Sequence, residues 1–137
     1  MPLIDGYWRP SETAYIVEVP GVGPSANDRL HHMTRYRANK TLKDAARCAA
    51  HCHVVARDGK PLAAARIDVT LIRKPRVRPK DRDNALSCVK AAVDGVVASG
   101  LIRDDGPLYV EYGAIEQRVG PVPLTILTLT EIQPRLA

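Results

Sequence analysis

The apolar residues of this chain change their spacing several times, and that switching limits the folds open to it. Residues 14–19 alternate, with Tyr15, Val17 and Val19 set against Ile16 and Glu18, the period of a strand with one buried face. Over 41–57 the apolar positions Leu42, Ala45, Ala49, Cys52 and Ala56 fall three and four apart, which predicts a helix closed by Asp58, Gly59 and Pro61. Alternation returns over 66–72 through Ile67, Val69 and Leu71. Pro75 and Pro79 keep the next segment out of a sheet, because proline has no N–H to give to a ladder. A second helix is expected over 83–99, with Asp83 as N-cap and Leu86, Val89, Val93 and Val96 on its buried face. Gly100 then takes the left-handed position after its end, followed by Leu101. Strands near 108–119 and 124–132 complete the order. Strand, helix, strand, helix, strand, strand predicts an α+β fold, with two helices packed on one face of a mixed β-sheet.

A chain of 137 residues has room for one core. Residues 1–13 show no periodicity and are set apart as an N-terminal arm, leaving 14–137 as the domain. The 45% hydrophobic and 26% charged content matches an ordinary globular protein. No apolar run approaches the roughly 18 residues of a membrane helix, and Asp5, Arg9 and Glu12 interrupt the start. No membrane partner and a cytoplasmic location are therefore expected. Three cysteines, Cys48, Cys52 and Cys88, make an odd number and are expected as thiols. Cys48, His51, Cys52 and His53 have the chemistry of zinc ligands but lack a second paired cluster, and Cys52 on the apolar stripe is expected as a buried thiol.

Twenty Lys and Arg against fifteen Asp and Glu give a net charge of +5. Between residues 66 and 82 lie Arg66, Arg73, Lys74, Arg76, Arg78, Lys80 and Arg82, opposed by Asp68 and Asp81, with Asp83 just beyond. Such a strip favours polyanions as partners, although a solvated edge strand and loop has the same composition. Asp81 and Asp83 stand two apart on an extended approach to a helix, so their carboxylates point the same way. Like charges so placed are tolerated beside a divalent cation, a proton or screening cations. Asp104 and Asp105 form a second acidic pair in a turn; an N-cap and an ordinary turn would account for the same residues. Against that, the first pair sits within the basic strip, which suits metal-assisted attack on a phosphodiester. Asp83, Lys90 and Asp94 also share one side of the second helix, since seven residues turn about 700°.

The segments Asp81-Arg82-Asp83-Asn84, Lys90-Ala91-Ala92-Val93-Asp94-Gly95 and Ser99-Gly100 through Asp104-Asp105 together resemble the RusA family of Holliday junction resolvases. Pro24, Ser25, Asn27 and His31 or His32 are similar to that family's N-terminal segment, and the likeness covers roughly residues 14–132. The resemblance implies a RusA-like fold and a homodimeric, Mg²⁺-dependent endonuclease, with Mn²⁺ as a substitute, resolving four-way DNA junctions in recombination and repair. It implies metal binding by Asp81, Asp83 and Asp105 with Asp104 close by, and Lys90 as an accessory catalytic lysine. DNA contacts are expected from Arg73, Lys74, Arg76, Arg78, Lys80 and Arg82, and from Asn27, Arg29 and His32. A junction-binding protein with weakened or lost catalysis is the alternative.

The sequence departs from the family pattern at the lysine, which follows Asp83-Asn84 after five residues instead of two. The extra turn keeps Lys90 on its face and moves it about 4.5 Å along the axis, while Ser87 takes the position the shorter spacing gives to lysine. Asp83 and Asp105 flank a helix about 24 Å long. To meet, they need either a turn after Gly100 that doubles back or a second subunit that supplies one end.

Overall fold

Among the described residues, six strands and two helices follow one another: β1 (Leu3–Ile4), β2 (Tyr7–Trp8), β3 (Ala14–Pro20), α1 (His32–Ala56), β4 (Ala64–Arg73), α2 (Arg82–Ser99), β5 (Val110–Val119) and β6 (Leu124–Ile132). The computed structural model describes residues 3–4, 7–8, 13–26 and 28–134. β1 and β2 pair antiparallel, so the N-terminal arm contains a short two-stranded ladder. The other strands form one sheet in the order β3-β6-β4-β5. β4 and β5 are parallel, whereas β6 runs antiparallel to both β3 and β4. β3, β4 and β5 therefore point the same way, and a helix carries each return between them. The fold is α+β with a mixed four-stranded sheet, as the pattern of periods predicts.

Alternation decides which face of the sheet is covered. Register sets Tyr15, Leu129 and Ile67 in one row, Val17, Leu127 and Val69 in the next, and Val19, Thr125 and Leu71 in a third. All but the partly exposed Tyr15 are buried, whereas Arg66, Asp68 and Thr70 between them on β4 are not. Leu42, Ala46 and Ala50 of α1 and Ala85, Val89, Val93 and Val96 of α2 join the same core, so both helices lie on that face. Neither helix is long and apolar enough to cross a membrane.

Three features of the helices differ from the pattern. α1 starts at His32 instead of 41; His31 caps it, its Nδ1 accepting the Met33 N–H at 3.2 Å. Its first turns carry Arg35, Arg37 and Lys40, which form helix without an apolar stripe to announce it. The buried line of α1 is Leu42, Ala46 and Ala50, with Ala45 and Ala49 half-buried beside it. That rotation leaves Cys48, Cys52 and Ala56 exposed, so the one buried thiol is Cys88, on α2. At α2 the N-cap is Asp81, not Asp83: its Oδ1 accepts the Asn84 N–H at 2.9 Å, and Asp83 falls in the first turn. Gly100 does close α2 at φ +90°, with Leu101 and Ile102 buried beyond it.

The two helices touch at Gly95. A Cβ there would collide with the Lys43 carbonyl oxygen and stand 2.8 Å from Ala46 Cβ. Glycine in a helix interior costs about 1 kcal/mol relative to alanine, so propensity alone would make Gly95→Ala stabilising. The collision involves backbone, which has no rotamer to escape into, and overpacking of this kind costs about 1–3 kcal/mol or more. Gly95→Ala should lower the thermal unfolding midpoint by several degrees; a midpoint unchanged or raised would contradict this packing.

Candidate active site

The carboxyl ends of parallel strands are where α/β layers leave a crevice between loops. Here the segments after β3 and β4 both emerge at that end, and each feeds a helix N-terminus. They are joined. Lys80 Nζ lies 3.6 Å from Asp28 Oδ1, and Ser87 Oγ on α2 accepts the Ala26 N–H at 3.0 Å while donating to the Asn84 carbonyl at 2.7 Å. Gly23 sits so close to the Cys88 carbonyl that a Cβ would collide with it. Within the first loop, Asp28 Oδ2 accepts the Ser25 N–H at 2.8 Å, and the Arg35 guanidinium donates to the Ser25 and Asp28 carbonyls. The Ser25 N–H, followed by the Lys80 charge, holds the Asp28 carboxyl below its ordinary range. Thus the 24–32 segment, far away in sequence, is fastened against the start of α2. Arg29 and His32 are exposed there, and Asn27 lies outside the described residues.

The basic loop is tied down at Lys80 and Arg82 while most of its cations stay exposed. Lys80 exchanges two hydrogen bonds with the Gln117 side chain on β5, its N–H donating at 2.9 Å and its carbonyl accepting at 2.6 Å. Lys74, Arg76, Arg78 and Arg82 are exposed; Arg76 adopts φ +73° in the loop, and Arg82 donates to the Gly113 carbonyl at 3.2 Å. Arg73 differs from expectation. It is only 7% exposed, with its guanidinium 3.3 Å from Gln117 Oε1 and 3.8 Å from Cys88 Sγ. It continues the inward parity of Ile67, Val69 and Leu71, so its side chain belongs to the interior and not to a DNA-facing surface.

On the acidic side, the turn after α2 doubles back. Lys90 stands about 15 Å up the helix from Gly100, yet its Nζ lies 3.3 Å from Asp105 Oδ2 and 3.8 Å from Asp94 Oδ1. No second subunit is needed to bring Asp105 alongside α2. The hydrogen bond to Asp105, then the charge of Asp94, raises the Lys90 pKa above its ordinary value, so the side chain is a cation. Tyr112 on β5, which the sequence pattern passes over, joins this group: burial first, then the charges of Asp105 and Asp94, push its phenol up. Its inward parity beside Ile67 is the signal that could have found it.

Asp83 lies about 10 Å further toward the start of α2, within about 20° of the Lys90 face. The acidic residues therefore form two groups, Asp81 with Asp83 and Asp104 with Asp105. Among the described residues no three His, Cys, Asp or Glu side chains gather as a metal-holding set. This applies equally to Cys48, Cys52 and His53; the His53 Nε2 is 2.9 Å from the Ile16 carbonyl. In donor type the aspartates fit Mg²⁺ or Mn²⁺, which take hard oxygen ligands. Asp81 uses Oδ1 in its cap, Asp104 uses Oδ1 on the Asp105 N–H at 2.9 Å, and Asp105 uses Oδ2 on Lys90, leaving each a second oxygen.

Both ion pairs of Lys90 are solvent-exposed, and pairs of that kind contribute about 0–1 kcal/mol each. Lys90→Ala should leave global stability nearly unchanged while speeding amide hydrogen exchange in the 103–106 turn. Exchange there identical to wild type would show that the ion pair does not hold the turn back.

No family model matches this chain, and a search of curated proteins returned no match to it.

Proposed function

We propose that the protein is a Mg²⁺-dependent, structure-selective DNA endonuclease acting on four-way junctions or related branched DNA. The observation that carries this is the 3.3 Å contact between Lys90 and Asp105, which draws the second acidic turn onto the α2 face that also bears Asp83. The exposed cations Lys74, Arg76, Arg78 and Arg82 border the same end of α2 and supply counter-charge for phosphates. The N-termini of α1 and α2 open at that end, where the helix dipole and unpaired N–H groups favour phosphate oxygens.

In this proposal Asp81, Asp83 and Asp105 hold the ion, with Asp104 beside them. Mg²⁺ held there would supply Lewis-acid polarisation of a phosphoryl oxygen and a lowered pKa for water. Lys90, charged at every physiological pH, places positive charge where the departing oxygen develops its negative charge. The Lys80 and Gln117 hydrogen bonds hold the backbone of the basic loop while its side chains reach solvent. A homodimer presenting two such sites would match the two-fold symmetry of a junction.

The second reading is a junction-binding protein without catalysis. It is favoured by the fact that both partners of Lys90 are acidic, so its charge is already balanced within the protein. Incubation of labelled four-way and linear DNA with and without Mg²⁺ separates the two. The nuclease should nick the junction only with the ion, and Asp83→Asn and Asp105→Asn should each lose about 100-fold or more, beyond the 10–100-fold typical of residues that merely support a ligand. Tight junction binding with no product in Mg²⁺ or Mn²⁺ would leave the binding protein.

A further inference from the structure

The Lys90 group accounts for one side of α2; the other side, against α1, carries a different chemistry. Tyr36, Lys40, Lys43 and Arg47 fall within about 60° of one another around α1. They line a groove of about 400 Å³ whose opposite wall is α2 at Ala91, Asp94 and Ala98. A second hollow of about 280 Å³, lined by Arg35, Ser87 and Lys90, shares Asn39, Ala91 and Asp94 with the first. The two make one channel along the helix pair, beginning beside the candidate active site.

Its charge is positive and partly unbalanced. Lys40 pairs with Asp44 at 3.1 Å and Asp94 pairs with Lys90, but Lys43 and Arg47 have no ion-pair partner among the described residues. Tyr36 at its head is 59% exposed, a large ring left in water with no aromatic neighbour among the described residues. A flat ring followed along a groove by unpaired cations is the arrangement that holds single-stranded nucleic acid: a base stacks on the ring and phosphates lie on the cations. Lys43 and Arg47 stand about 6 Å apart along the helix and Tyr36 about 10 Å before Lys43, a reach of a few nucleotides. At about 400 Å³ the hollow is of the size that holds a small ligand.

We propose that the α1–α2 groove binds a single strand of DNA, with a base on Tyr36 and phosphates on Lys43 and Arg47. This rests on the proposed nucleic-acid function for the class of ligand, and it gives unpaired DNA near a branch point a place separate from the basic loop. Lys43 and Arg47 fall inside the helix expected over 41–57, but Tyr36 and Lys40 precede it in turns with no apolar period, so the face all four share was hidden.

The test is fluorescence anisotropy of the full chain with a labelled oligothymidylate of about ten nucleotides across a salt series. Each single-strand phosphate contact contributes about 0.7 to the slope of log K against log salt. The double variant Lys43→Gln, Arg47→Gln should lower that slope by about 1.4. Tyr36→Ala should weaken binding about tenfold while Tyr36→Phe retains it, as stacking requires. Thermal midpoints equal to wild type would exclude misfolding as the cause. An unchanged slope together with wild-type affinity in Tyr36→Ala would overturn the proposal. So would a fall in sedimenting mass in the double variant, which would make the groove a contact between copies of the chain. Neither result depends on whether junctions are cut, so failure of the groove and failure of the nuclease are separately visible.

Discussion

Helices α1 and α2 lie side by side because Gly95 removes the side chain at their point of contact, letting α2 approach the Lys43 carbonyl and Ala46. The rest of the molecule follows from that closeness. Both helices return from strands that point the same way, so both N-termini emerge at one end of the sheet. The segment after β3 then has no room to stand away from α2, and Gly23 against the Cys88 carbonyl is the second place where a missing Cβ permits contact. A hydroxyl, Ser87, and an ion pair, Lys80 with Asp28, complete the attachment.

The electrostatics divide along α2. One side faces the returning turn and is acidic, with Lys90 as the cation between Asp94 and Asp105. Toward α1, Asp94 also borders the groove, across from Lys40, Lys43 and Arg47. In the proposed function, the carboxylates beside the returning turn would hold the divalent cation and the cations along α1 would hold phosphates. Phosphodiester chemistry needs both within a few ångströms, because the metal works on a group that must first be positioned against charge repulsion.

Much of this was legible in the sequence where one physical signal acted alone. β6 spans Leu124–Ile132, the range the sequence led one to expect, and Gly100 takes the left-handed position because no side chain opposes it there. The fold class followed from the order of periods. Legibility failed where two signals competed. The first turns of α1 lack apolar spacing because they face solvent, so His32 was hidden as a helix start. Arg73 has the charge of the surface strip but the parity of the core, and parity prevailed. Asp81 and Asp83 both suit an N-cap, and only the chain path chose Asp81. Cys52 fell on an apolar stripe rotated by one residue from the one that packs. In the candidate site, the residues were readable one by one, but the return of Asp105 to Lys90 is a tertiary event with no local signature.

The central claim is that carboxylates from two turns, at 81–83 and 104–105, serve one ion. Titration with Mn²⁺, followed by paramagnetic broadening of backbone amide signals, tests it without reference to any substrate. Broadening of both turns at the same low concentration, lost in Asp83→Asn and in Asp105→Asn alike, is the result the proposal predicts. Broadening of only one turn, with binding unaffected by substitution in the other, would contradict it.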